Sequence, residues 1–135
     1  MIAFTILAPA PYINANDRLH YMAHARLVNT WRAHVAAAAR RYTPAITTWP
    51  IDLHVRLDVP DNRRRDPQNL YPMVKVICDA LGPALAPVGK RRTYAPGAGW
   101  WPDDTPEYVR THEPELRVVG RKTPLTVTIT VKERT

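Results

Sequence analysis

The stretch from Ile51 to Val59 alternates without a break. Ile51, Leu53, Val55, Leu57 and Val59 fall on one side, and Asp52, His54, Arg56 and Asp58 on the other. Successive side chains of a β-strand point to opposite faces, so this period of two predicts a strand with one buried and one wet face. Such a strand needs a sheet to join and an apolar layer to cover it. Pro60-Asp61-Asn62 then reads as a turn. The run Arg63-Arg64-Arg65-Asp66-Pro67-Gln68-Asn69-Leu70 follows at once, so arginines and a carboxylate sit at a strand end.

The remaining elements can be read around that strand. Ile2 to Ala8 is apolar and β-prone, and Pro9 and Pro11 stop it. Tyr12 to His20 is a polar loop. From about Ala23 to Tyr42 the chain is rich in alanine, with Leu27, Trp31, Val35 and Ala38 at helical steps. Arg26, Arg32, Arg40 and Arg41 lie off that stripe, and Pro44 ends the helix. A second helix ends near Leu81. Asp66-Pro67 suits an N-cap followed by proline. Pro72 disfavours helical angles at Tyr71, so the helix is either kinked there or begins there. The second alternative is preferred, with Asp66 to Tyr71 as a shaped loop. Leu70, Val74, Ile77 and Leu81 make its apolar face, while Lys75 and Asp79, four apart, share another. Residues 82–102, punctuated by prolines and glycines, read as a long flexible loop carrying Lys90, Arg91 and Arg92. Tyr108 to Val119 reads as a strand interrupted at Pro114, and Leu125 to Val131 alternates as the last strand. The order β-α-β-α-β-β in 135 residues predicts a single compact α/β (α+β) domain, with a small mixed sheet and both helices on one face.

The net charge of +7 favours an anionic partner. The single cysteine, Cys78, permits no disulfide within the chain and suggests a reducing, cytoplasmic compartment. It reads as a core residue. Met1 to Leu7 lacks the features of a signal peptide, and no apolar run is long enough to span a membrane. His24, His34, His54 and His112 show no metal spacing and read as surface residues.

Arginines hold phosphates, and carboxylates hold Mg²⁺. A carboxylate inside a phosphate-binding surface weakens binding unless a cation lies between it and the nucleic acid. The expected site therefore combines Asp66 and Asp104 as metal ligands, Asp79 and Asp103 as further carboxylates, and Lys75 as the group that assists water or neutralises the transition state. Read separately, Lys75 and Asp79 are an ordinary surface ion pair, and Asp103-Asp104 is turn chemistry. Arg63, Arg64 and Arg65, with Gln68 and Asn69, would meet the nucleic acid. Asn14, Asn16 and Arg18 of the first loop, and Lys90, Arg91 and Arg92 of the long one, are additional candidates. Trp100-Trp101 would either stack on an unpaired base or pack against a helix.

These residues resemble the RusA family of Holliday-junction resolvases, endonucleases found largely in phages and prophages. The likeness rests on Arg63-Arg64-Arg65-Asp66, Asn69-Leu70, Lys75, Asp79-Ala80-Leu81 and Asp103-Asp104, in that order, and covers most of the chain. It implies an α/β homodimer that nicks four-way DNA junctions in pairs, in recombination or repair, using Mg²⁺ with Mn²⁺ as a substitute. In a phage-encoded protein, that would take place in the cytoplasm of a bacterial host. Asp66 and Asp104 match two of the family's catalytic aspartates, and Lys75 its essential lysine. The chain departs from the pattern twice. Gln68 stands where the best-known members carry a second aspartate, and about three extra residues, Pro72 among them, separate Asn69 from Lys75. Two other readings remain at this stage: a branched-DNA-binding protein without cleavage, and a basic RNA-binding domain.

Overall fold

The computed structural model describes residues 1–84 and 96–133. Strand β1 (Ile2–Leu7) is followed by helix α1 (Tyr21–Ala39) and strand β2 (Ile51–Val59). Helix α2 (Tyr71–Leu81) then leads to β3 (Val109–Thr111), β4 (Glu115–Val118) and β5 (Thr126–Glu133). The sheet runs β1-β5-β2-β3, and β4 also pairs with β2. β5 is antiparallel to both neighbours, whereas β3 and β4 run parallel to β2. The sheet is therefore mixed, as expected. Parallel pairing requires a crossover, and α2 is part of it.

The alternating strand fulfils its pattern. Ile51, Leu53, Val55 and Leu57 are buried with Val127, Ile129 and Val131 of β5. Trp31, Val35, Met73, Val74, Ile77 and Leu81 of the helices join the same core. Both helices thus cover one face of the sheet, and threonines of β5 with Asp52, His54 and Arg56 line the other.

Four local details sharpen or correct the sequence reading, the start of α2 at Tyr71 and the break at Pro114 being as preferred there. First, α1 starts at Tyr21, where the His20 ring accepts from the Met22 N–H at 3.3 Å, and it ends at Ala39, well before Pro44. Second, a 3₁₀ turn over Pro67–Leu70 is capped by the Asp66 carboxylate, and α2 begins separately at Tyr71. Pro72 is accommodated because the first helical N–H groups have no intrahelical acceptor to lose. Third, the interrupted strand is two short strands, paired with successive halves of β2.

The fourth is Asp58, expected on the wet face but only 2% exposed. Its carboxylate accepts from Arg117 Nε at 2.9 Å and Nη2 at 3.2 Å, and from the Thr126 backbone at 3.1 Å and hydroxyl at 2.6 Å. Burial raises the carboxyl's pKa, but these bonds outweigh it and hold Asp58 below the usual carboxylate range. The Tyr12 hydroxyl donates to the Asp58 carbonyl at 2.6 Å. Burial, and then the Asp58 charge, push that phenol up to about 12. The strand end that releases the arginine run is thereby clamped to β4, β5 and the first loop.

Candidate active site

The expected site residues are distributed along α2. At its N-terminal end lies a cavity of about 490 Å³, lined by Asn14, Asn16, Asp17, Arg63, Arg64, Arg65, Asp66 and Asn69. The first loop reaches it because the Ala15 N–H donates to the Asn69 carbonyl at 2.8 Å and the Asn14 side chain accepts from the Asn16 N–H at 2.8 Å. Arg63 and Arg64 are exposed. Arg65 is engaged otherwise. It donates to the Asp61 carboxylate at 2.8 Å and the Asp61 carbonyl at 2.7 Å, so it shapes the loop. The Asp61 carboxyl is held low chiefly by this bond. Gln68 is exposed and gives its N–H to Asp66 at 3.0 Å, while Arg18 is exposed outside the cavity wall. Asp17 was not expected on this wall.

Lys75 lies midway along the helix, exposed, beside a shallow cavity shared with Arg32, His24 and Asp79. The ion pair recorded for Asp79 is with Arg32 of α1 at 3.4 Å, not with the Lys75 suggested by spacing.

At the C-terminal end of α2 two acidic residues approach one another. There the Asp79 carboxyl lies close enough to the Asp104 side chain for Asp104 to act on it directly. Burial, and then the Asp104 carboxylate, push Asp79 up to about 6, against the opposing pull of Arg32 and Lys75. Asp104 also accepts from Trp101 Nε1 at 2.7 Å. Asp103 acts as a turn residue, accepting from the Asp104 N–H at 2.8 Å. Trp100 and Trp101 are both buried, which is the packing alternative of the two considered. Cys78 is buried beside Asp104, with its thiol pushed up by burial first and the neighbouring carboxylates second.

Two glycines make this approach possible. A Cβ on Gly82 would collide with Asp104 Oδ1 and come within 2.8 Å of Trp101 Nε1. One on Gly97 would lie 2.7 to 2.9 Å from the carbonyls of Gly82, Pro83 and Asp79. Backbone bonds zip the segments together: Ala98 N–H to Ala80, Gly99 to Gly82 and Trp100 to Leu81. The ends of the expected flexible loop are therefore anchored. Lys90, Arg91 and Arg92 lie outside the described residues.

Mg²⁺ takes one or two carboxylates and completes its shell with water and phosphate oxygens. The Asp79–Asp104 pair fits that requirement, because a divalent cation would relieve the repulsion that raises Asp79. Asp66 stands apart. It lines the cavity at the N-terminal end of α2 and not the one beside Asp104, and Tyr71 and Asp79 within that helix are already separated by roughly 12 Å at 1.5 Å per residue. Among the described residues, no three His, Cys, Asp or Glu side chains gather as a metal-holding group.

Next to Asp104, a cavity of about 390 Å³ opens at the edge of the sheet, lined also by Cys78, Arg110, Thr111 and His112. His112, read from the sequence as a surface residue, is partly exposed and belongs to a cluster. Its Nε2 lies 2.9 Å from Asp52 Oδ1, and its ring stacks on His54 with centroids 4.4 Å apart and planes 7° apart. The β2–β3 register explains this, since Asp52 opposes Arg110 and Leu53 opposes Thr111, which brings His54 beside His112. Tyr71 and Thr111 join hydroxyls across the start of α2.

No helix among the described residues is long and apolar enough to cross a membrane. Comparison with models of known families and with characterised proteins gives no match.

Proposed function

We propose that this chain is a divalent-metal-dependent endonuclease for branched DNA, acting as a homodimer on four-way junctions. The observation that carries the reading is the close approach of the Asp79 and Asp104 carboxyl groups, which raises Asp79 on a chain of net charge +7. Two carboxyl groups in contact cannot both ionise cheaply. A fold that enforces their contact with Gly82 and Trp101 is suited to a cation. The resemblance of the Arg63–Asp104 residues to the RusA family supports the same reaction.

Asp79 and Asp104 would hold the metal, Mg²⁺ or Mn²⁺. When bound, it activates water and stabilises charge on the scissile phosphate. Lys75, on the neighbouring cavity, adds positive charge along the phosphate path. Arg63 and Arg64, whose side chains are exposed, would grip the DNA backbone at the far end of α2. Asp66 would cap the turn that presents them. A dimer gives a reason for two opposed cuts, because a four-way junction has approximate two-fold symmetry.

A second reading, junction binding without cleavage, draws on the separation of Asp66 from Asp104 and on Gln68 in place of a carboxylate. The two are distinguished by incubating the protein with a synthetic four-way junction and a linear duplex, with and without Mg²⁺. Paired nicks on the junction, abolished by Asp104→Asn with binding retained, are expected. Tight junction binding without nicks in Mg²⁺ or Mn²⁺ would favour the second reading. Equal treatment of junction and duplex would refute both.

A further inference from the structure

The cavity beside Asp104 has a second wall that the reading above does not use. His112 faces it, its Nε2 tied to Asp52 at 2.9 Å and its ring lying flat on His54. Arg110 and Thr111 line the same space. A histidine fixed through one nitrogen by a carboxylate presents a defined tautomer. With Nε2–H donating to Asp52, Nδ1 carries the lone pair. The carboxylate also stabilises the imidazolium formed when Nδ1 takes a proton, which is the orienting logic of a base in many hydrolases. His54 adds a flat platform whose own ring resists protonation, because burial and then His112 lower its pKa.

We infer that His112, oriented by Asp52 and stacked on His54, is the general base of the strand cleavage carried out beside Asp104. This rests on the endonuclease reading. A water molecule gives one proton to His112 Nδ1 as its oxygen bonds to phosphorus. The bond from phosphorus to the leaving oxygen breaks, and that oxygen departs with the electron pair and takes up a proton from solvent. His112 then returns its own proton to solvent. No oxidant or further reactant is needed. Charged groups on every neighbouring strand bear on the stack: Asp52 on β2, Arg110 on β3, Glu115 on β4 and Lys132 on β5. Arg110 is placed to meet the phosphate entering between the two walls.

The test is single-turnover cleavage of a four-way junction in Mg²⁺ as a function of pH, with His112→Ala, His112→Gln and Asp52→Asn compared with wild type. Junction binding is followed in parallel in Ca²⁺. His112→Ala is expected to cut about 10²-fold or more slowly, in the range typical of a lost general base. Its binding should be unchanged, its rising pH limb lost, and its rate partly restored by added imidazole. His112→Gln guards against a packing defect and should be equally slow. Asp52→Asn should fall between wild type and the His112 variants and keep a pH limb. Wild-type rates and an unchanged pH profile in both His112 variants would overturn the inference and leave the endonuclease reading standing. So would slow variants that imidazole does not rescue and that bind junctions as weakly as they cut. Absence of cleavage by the wild-type protein would overturn the endonuclease reading and the inference with it.

Discussion

Replacing Asp58 by alanine removes the anchor of the strand end from which the arginine run departs. Four hydrogen bonds reach its carboxylate, two from Arg117 and two from Thr126. Arg117 is 48% exposed and can return to water, so its loss costs little by itself. Thr126 cannot rehydrate as freely, and each of its two donors loses about 1 to 1.5 kcal/mol. With the space left by the carboxylate, the total is about 2–4 kcal/mol. For a domain of this size, each kcal/mol lowers Tm by roughly 3–4 °C, so a fall of about 6–16 °C is expected. Asp58→Asn should lose about half as much, because the amide oxygen can still accept from both the Thr126 N–H and its hydroxyl.

Thermal unfolding followed by circular dichroism at pH 7 gives these values. The pH dependence supplies a second check with a definite sign. Asp58 is depressed in the folded state, so its contribution is present above the unfolded value near 3.9 and is lost as pH falls through the folded one. Wild type and Asp58→Ala should therefore converge in acid. A Tm loss under about 2 °C at pH 7, or a constant difference down through the acid range, would refute the clamp.

The candidate site yields further expectations. Gly82→Ala drives a methyl group into Asp104 and Trp101, so cleavage should collapse while the circular dichroism spectrum stays native; full activity would contradict the enforced contact. Asp79 is raised to about 6, so its stabilising contribution is present below the unfolded value near 3.9 and lost as pH rises through 6. Asp79→Asn should accordingly raise Tm at pH 8 and leave it nearly unchanged at pH 4, and the opposite ordering would reject the raised Asp79 carboxyl. Mg²⁺ at one hundred times its Kd should stabilise the wild type by about 2.7 kcal/mol at pH 8, an effect that Asp104→Asn should lose; equal shifts in both would place the ion elsewhere. Arg64→Ala should weaken DNA binding across sequences and lower the salt slope by about 1, with Tm intact. Arg65→Ala should instead lower Tm, since that guanidinium holds Asp61.

The sequence by itself determined what repeats locally. The alternation of Ile51–Val59 and the apolar face of Val74, Ile77 and Leu81 are properties of one segment, visible because strand and helix place side chains at fixed periods. The arginine run at a strand end was legible for the same reason: adjacent residues stay adjacent. What the tertiary structure decided depends on partners far along the chain. Asp79 meets Asp104 only because Gly82 and Gly97 let the loop ends close on α2, and a glycine in a loop announces no particular neighbour. His112 meets Asp52 and His54 through the register of a three-residue strand, too short to show a period. Asp58 looked solvent-facing by alternation, yet Arg117 and Thr126 converge on it from two other strands. Asp66 and Asp104 looked like one site because order along the chain carries no distance, whereas the length of α2 keeps them apart.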